Sequence, residues 1–95
     1  MVKKGACKII VAGVIYVVSG KRSEFVERSA EAVAQARNTH GCLDFAVSAD
    51  QVEPDRVNVF EVWESEKALH EFRGKGPGED LSQLIERADV NEYRV

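Results

Sequence analysis

The chain has little of what marks several large classes of protein. Its 95 residues include only two cysteines and two prolines, and acidic residues outnumber basic ones, which gives a formal net charge of −3. This charge gives no reason to expect nucleic acid or an anionic membrane surface as a partner. Cys7 and Cys42 have neither C-x-x-C spacing nor companion histidines, so no metal site is indicated. The simplest interpretation is two reduced, partly buried thiols.

Long hydrophobic runs are scarce as well. The only one, Ile9–Val18, is about half the length of a membrane span. It ends in Ser19-Gly20-Lys21-Arg22, whereas a secretory signal would end in a cleavage site with small residues. β-Branched residues dominate the run, as they do in a buried strand. We therefore expect a cytoplasmic protein.

The motifs of the common enzyme classes are also missing. The sequence has no nucleophile elbow, no dinucleotide fingerprint and no phosphate-binding loop. Its one glycine-rich stretch, Gly74-Lys75-Gly76-Pro77-Gly78, lacks a G-K-[ST] ending. We interpret this stretch as a flexible lid or hinge that breaks a helix.

Hydrophobic periodicity predicts a single α+β domain over residues 1–95. Alternation of Leu43, Phe45 and Val47 indicates a strand, Ser65 suits a helix N-cap, and Gly41 suits a left-handed cap after the first helix. The predicted strands are Ile9–Val18, Cys42–Ala49, Val57–Trp63 and Val90–Val95, and the predicted helices are Lys21–Thr39, Glu66–Arg73 and Glu79–Arg87. This order, with an antiparallel sheet, is the ferredoxin-like split β-α-β arrangement.

Apolar residues occupy both faces of the first predicted strand. Ile9, Val11, Ile15 and Val17 point to one side, and Ile10, Ala12, Val14, Tyr16 and Val18 point to the other. The helices of such a domain cover only one face of the sheet, and an open apolar face is an association site. We expect a homodimer through this sheet face, with two sheets forming a dimeric α/β barrel.

Several segments follow one another in an order typical of a known family. Gly20-Lys21-Arg22 follows the first strand, Gly41-Cys42-Leu43 opens the second, and Pro54-Asp55-Arg56 lies in the turn. The third strand runs into Glu61-Val62-Trp63-Glu64-Ser65-Glu66-Lys67-Ala68-Leu69. Together these segments resemble the antibiotic biosynthesis monooxygenase (ABM) family over nearly the whole chain.

The resemblance implies a dimeric barrel that oxidises a small electron-rich aromatic substrate, such as a quinol or an anthrone, with O2 and without a cofactor. The haem-degrading branch of similar folds carries an Asn on the first strand and a His about ten residues after the tryptophan. Gly13 and Arg73 occupy those positions here. The Pro-His that many members carry after the second helix is replaced by the glycine-rich stretch.

Cofactor-free oxygenation needs an apolar pocket, a group that accepts a proton and donors that steady an anion. The candidates for the proton acceptor are Glu61, on the same strand face as Trp63, and His70 on the second helix. The candidate substrate-binding residues are Trp63, Phe45, Asn58, Phe72 and Arg73. Each has a plainer interpretation: core packing for the aromatic rings, a structural pair for Glu61, a sheet edge or the dimer seam for Asn58, and surface exposure for His70 and Arg73.

Two functions from different classes remain open at this point. The first is a cofactor-independent monooxygenase that acts on a small aromatic or quinol-like molecule. The second is a non-catalytic dimeric barrel that binds a small hydrophobic metabolite. The enzyme interpretation rests mainly on the family resemblance, because a fold does not determine a function.

Overall fold

The computed structural model describes residues 7–75 and 80–95. Within them the chain forms strand β1 (Ile9–Val17), helix α1 (Arg22–Arg37), strands β2 (Cys42–Ala49) and β3 (Arg56–Trp63), helix α2 (Glu66–Gly74), a 3₁₀ turn (Ser82–Leu84) and strand β4 (Ile85–Arg94). No helix of the described segments is long and apolar enough to cross a membrane.

The four strands form one antiparallel sheet in the order β2-β3-β1-β4. The central strand β1 pairs with β3 on one side and with β4 on the other, and β2 and β3 form the predicted hairpin. This topology confirms the ferredoxin-like α+β fold. The predicted bounds of β1, β2, β3, α1 and α2 agree with the structure to within two residues.

The predicted third helix, Glu79–Arg87, is wrong, and so is the late start of the last strand at Val90. Only Ser82–Leu84 form a helical turn, and β4 already begins at Ile85. The reason lies in β1, whose second edge needs partners for its backbone groups along its whole length. Residues 85–94 supply them, from the pair Val17 and Ile85 to the pair Ile9 and Arg94. Of the glycine-rich stretch, residues 76–78 lie outside the described residues.

The buried face of helix α1 differs slightly from the one that the sequence predicts. The helical spacing predicts a Glu24–Arg28 pair and an inward stripe of Phe25, Val26, Ala30, Val33, Ala34 and Arg37. Ser29 and Ala36 are buried together with Phe25, whereas Ala30 and Ala34 are exposed. The buried hydroxyl of Ser29 donates to the Phe25 carbonyl at 2.7 Å, so a polar residue can lie on the inward face. The predicted Glu24–Arg28 pair forms, with 2.6 Å between Oε2 and Nη1.

Both helices pack on the same face of the sheet, which we call the helix face. Its main core joins Ile9, Val11, Phe45 and Trp63 from the strands to Ala36, Ala68 and Leu69 from the helices. A second, smaller core lies at the other end of the sheet, around Val17, Phe25 and Val57. The predicted cap of α2 is confirmed, because Ser65 Oγ accepts from the Ala68 amide at 3.1 Å.

The opposite side of the sheet, the open face, carries no helix of the described chain. The register places Ala12, Phe60 and Ala46 side by side on it, with Ile10, Val62 and Tyr93 in the next position along the strands. Phe60 is 41% exposed and Tyr93 is 51% exposed. The face is therefore apolar at its centre and open to solvent, as the strand pattern predicts.

The outer edge of β2 is closed by side chains. The Phe45 amide donates to Asp44 Oδ1 at 2.9 Å, and the Phe45 carbonyl accepts from Arg37 Nε at 2.8 Å. A register shift between Cys42 and Asp44 interrupts the ladder just before this point. Both backbone groups of Phe45 are thus satisfied within the chain.

Gly41 is required where the chain enters β2. Its φ of +89° is left-handed as predicted, although the helix ends earlier, at Arg37. A Cβ atom on Gly41 would lie 2.5 Å from the Cβ of Ala68, so α2 packs directly on this glycine. Gly20 has a similar φ of +80° but open space around it.

We predict that Gly41→Ala lowers the free energy of unfolding more than Gly20→Ala does. The left-handed backbone costs about 1–2 kcal/mol in both variants. Only Gly41→Ala adds overpacking, which costs about 1–3 kcal/mol more. Urea denaturation followed by circular dichroism measures both values. Equal losses in the two variants would contradict the close approach of α2 to Gly41.

Candidate functional site

A row of residues across the helix face brings two carboxylates close to each other. The register aligns Phe45 on β2, Glu61 on β3, Val11 on β1 and Glu92 on β4. Neighbouring strands are spaced about 4.8 Å apart, so the Cα atoms of Glu61 and Glu92 lie roughly 10 Å from each other. We call this set the carboxylate row. Within residues 7–75 and 80–95, it is the one place on the helix face where acidic groups flank a buried valine.

Glu61 is held by the only tryptophan of the chain. Trp63 Nε1 donates to Glu61 Oε1 at 2.9 Å, and both residues point to the helix face because they are two positions apart on β3. The half-buried setting of Glu61 raises the pKa of its carboxyl through desolvation, while the Trp63 hydrogen bond and the charge of Arg73 act in the opposite direction. A carboxyl with a raised pKa is a better proton acceptor than an exposed glutamate.

Trp63, Phe45 and Phe72, which are all candidate substrate-binding residues, lie in one aromatic cluster. The ring centroids of Trp63 and Phe72 are 5.1 Å apart, and Phe45 meets both rings edge-on at 6.4 and 6.0 Å. Trp63 has no exposed surface, whereas Phe72 is only partly buried. Phe72 is therefore the outermost ring of the cluster. The buried indole of Trp63 contacts Glu61 from the core side.

Arg73 contacts the carboxylate row through Glu92, a residue that the sequence analysis does not single out. Its Nη1 atom lies 2.6 Å from Oε2 of Glu92, and this contact lowers the pKa of Glu92. Glu92 was overlooked because β4 alternates only weakly. The available signal was its antiparallel position opposite Val11, which a correct start of β4 would have revealed.

Two other candidates lie away from this site. His70 on α2 is exposed, although its charge reaches Glu92 and helps to lower the pKa of that carboxyl. Asn58 shares the register of Val14 and points to the open face, where it donates to Asp50 Oδ1 at 3.0 Å and accepts from Arg56 Nε at 2.9 Å. The structure thus brings together Glu61, Trp63, Phe45, Phe72 and Arg73, and separates them from Asn58.

The first-strand position that carries Asn in the haem-degrading branch has no room for a side chain. A Cβ atom on Gly13 would lie 2.0 Å from the Asp89 carbonyl oxygen on β4. The other position, Arg73, is already in its ion pair with Glu92. Within residues 7–75 and 80–95, no three potential metal-ligating side chains lie together.

Two cavities lined by described residues lie outside the carboxylate row. One of about 410 Å³ opens beside the edge strand and is lined by Arg37, Cys42, Leu43 and Asp44. Another of about 240 Å³ lies under the start of α1, against Ala49. Both are shallow and mixed in polarity, and neither contains the aromatic cluster.

The topology and the helix-face site define a ferredoxin-like α+β protein with a candidate site between helix α2 and its sheet. Residues 8–77 match the family described as "Antibiotic biosynthesis monooxygenase". The chain belongs to this ABM family. It is also 32% identical over 96 residues to the uncharacterized protein sll1783 of Synechocystis, an alignment that covers 92% of this chain and 63% of that protein. The chain thus spans less than two thirds of the relative's length.

Solved structures confirm the fold. Protein SO0527 of Shewanella oneidensis superposes with a TM-score of 0.85 at 20% identity, over 98% of this chain and 95% of its own. A protein of Nitrosomonas europaea, provisionally named an antibiotic biosynthesis monooxygenase, superposes with a TM-score of 0.78 at 15% identity, over 98% and 93% of the two chains. At these identities the likeness concerns the fold alone.

We predict that Glu61→Gln stabilises the protein at neutral pH. A raised folded-state pKa means that ionised Glu61 destabilises the fold above that pKa, and the loss disappears as pH falls to the ordinary glutamate value of about 4.3. Glutamine keeps an oxygen for the Trp63 N–H. Thermal melts from pH 4 to pH 8 should show a variant advantage that grows with pH. An advantage that is the same at every pH would contradict the raised pKa.

Proposed function

We propose that this protein is a cofactor-independent monooxygenase that oxidises a small electron-rich aromatic molecule, of quinol or anthrone type, with O2. The observation that carries the proposal is the half-buried Glu61 carboxylate, held by Trp63 Nε1 beside the main apolar core of the helix face. Membership of the ABM family supports the reaction class. A buried carboxylate is costly unless it has a task or a full set of partners, and here one indole N–H is its only hydrogen-bond donor among the described contacts.

The reaction requires an activated substrate, because triplet O2 reacts slowly with closed-shell molecules. In the proposed sequence, Glu61 takes a proton from an acidic ring CH2 or hydroxyl group, and the resulting anion gives one electron to O2. The substrate radical and superoxide join through a new C–O bond to form a peroxide. Loss of water from the peroxide leaves a carbonyl group, so that CH2 and O2 become C=O and H2O.

Each residue of the site has a role in this scheme. Glu61 is the base, Trp63 positions it, and Phe72 offers an apolar surface for the ring. Arg73 steadies negative charge that develops on a substrate oxygen. Asn58, on the opposite face, and the exposed His70 are not needed for this scheme.

Oxygen uptake by the purified protein tests the proposal against a panel of hydroquinones and anthrones. We expect uptake above the buffer rate for at least one compound. Glu61→Gln should reduce kcat by about 10²–10⁴-fold, the usual contribution of a general base. Trp63→Phe removes the N–H but keeps an aromatic ring. It should reduce kcat less than Glu61→Gln does and should shift the pH profile of kcat.

A non-catalytic role in binding a small hydrophobic metabolite is the alternative. The partly buried ring of Phe72 supports it, because an apolar ligand can pack there without any chemistry at Glu61. Measurable ligand binding without oxygen uptake for any compound would favour this alternative. A Soret shift on titration with haem would instead indicate haem binding, against which the crowding at Gly13 argues.

We also propose that the protein is a cytoplasmic homodimer joined through the open face. Unpaired thiols at Cys7 and Cys42 fit a reducing compartment. The apolar centre of the open face, with Phe60 and Tyr93 exposed, fits a second copy of the same surface. Returning each large side chain of such an interface to water costs about 1.5–3 kcal/mol.

Sedimentation velocity at micromolar concentration tests the dimer. We expect the wild type to sediment as a dimer and Phe60→Glu as a folded monomer, because the variant places two carboxylates in the shared apolar surface. Val52→Glu is the matched control, since Val52 is 87% exposed in a turn. A wild type that is monomeric and well folded would overturn the assembly.

A further inference from the structure

Two ion pairs connect α2 to β4, and only one of them lies in the carboxylate row. Arg73 of α2 pairs with Glu92 of β4, and Glu66 of α2 pairs with Arg94 of β4. The register places Glu92 in the row of Glu61, whereas Arg94 lies two residues further along, in the row of Trp63. The Arg73–Glu92 pair is therefore close enough to influence Glu61, and the Glu66–Arg94 pair serves as an internal comparison.

The Arg73–Glu92 pair is built so that it can be exchanged. The two side chains are 46% and 47% exposed, and an ion pair so open to water is worth little to the fold. A guanidinium presents several donors in a plane that matches a carboxylate. Arg73 also follows directly on Phe72, the outermost ring of the aromatic cluster. An anionic group on a ring that packs on Phe72 therefore has a cation within reach.

We propose that Arg73 is the docking point for an anionic oxygen of the ligand, and that Glu92 is a positioning residue that holds Arg73 until the ligand replaces it. The ligand class is then an aromatic acid, a ring that carries both an oxidisable hydroxyl group and a carboxylate. That the ring is oxidised rests on the proposed function above. The exchange of Arg73 from Glu92 to the ligand anion does not rest on that function.

The exchange has a consequence for Glu61. Among the described residues, the ionisable groups that face Glu61 are Cys42 from β2, Arg73 from α2 and Glu92 from β4, while β1 contributes only Val11. Behind them, Arg37 of α1 acts on Cys42 and His70 of α2 acts on Glu92. Arg73 lowers the pKa of Glu61 and Glu92 raises it. A ligand anion that neutralises Arg73 and releases Glu92 makes Glu61 a stronger base.

The indole of Trp63 reports the ionisation of Glu61 directly, because it is the only tryptophan and donates to that carboxylate. The first experiment follows the ¹⁵N–¹H resonance of Trp63 Nε1 against pH. We expect Glu92→Gln to lower the midpoint and Arg73→Gln to raise it. Glu66→Gln removes the same charge from the comparison pair and should leave the midpoint unchanged. A midpoint that Glu92→Gln leaves unchanged or raises would overturn the positioning role.

The second experiment compares two rings that differ only by a carboxylate, 2,5-dihydroxybenzoate and hydroquinone, under nitrogen. We expect the acid to bind the wild type about tenfold more tightly, as a charged hydrogen bond implies. Arg73→Gln should abolish this preference, and Glu66→Gln should keep it. The acid should also raise the midpoint of the Trp63 titration.

Equal affinities for the two rings, no binding of either, or a preference that survives Arg73→Gln would overturn the docking role. The proposed function has a separate outcome. A carboxylate preference without oxygen uptake would leave the docking role in place and refute the monooxygenase. Uptake together with equal affinities would refute the docking role alone.

Discussion

The candidate site depends on one hydrogen bond, from Trp63 Nε1 to Glu61 Oε1. Without it, a carboxylate would lie on the helix face with no donor from the sheet. The bond fixes the direction of the carboxylate, while partial burial keeps its pKa above that of an exposed glutamate. The indole itself is fixed by Phe45, Phe72 and the core around Leu69. The chemistry proposed for the protein is thus anchored in the main core of its fold.

The helices cover one half of the helix face more than the other, and they leave the open face uncovered. The helices bury the β2–β3 half of the helix face, whereas β4 is exposed except at Ile85 and Val90. Charged side chains line that exposed half, and two ion pairs connect it to α2. On the other side of the sheet the apolar surface has no cover from the described chain. The exposed β4 half of the helix face leaves space for the proposed ligand, and the open face leaves space for the proposed second subunit.

Much of the fold could be predicted because local patterns were unambiguous. Alternation identified β2, Ser65 identified the start of α2, and the run of β-branched residues identified β1 as a strand. The last strand was different, since residues 85–94 are highly charged, and the spacing of Leu81, Leu84 and Ile85 where the strand begins is that of a helix. Only the unpaired edge of β1 explains their extended form, and such a long-range pairing leaves no local pattern.

The site was predictable in the same uneven way. Glu61, Trp63, Phe45 and Phe72 follow from strand and helix periodicity, and they do meet. Asn58 was grouped with them as a polar strand residue, but alternation alone places it opposite Glu61, one face away. The place of Glu92 in the site depends on the register of β4 with β1, and no residue spacing in the sequence predicts that register.

The closed edge at Phe45 bears on the behaviour of the protein at high concentration. An uncovered strand edge is a template on which another chain can add its own backbone, and repeated addition leads to fibres. Arg37 and Asp44 occupy the two groups of Phe45 that such a chain would need, and the shifted register next to Cys42 spoils the geometry further. At Phe45, intramolecular bonds therefore oppose the addition of another strand to the β2 edge.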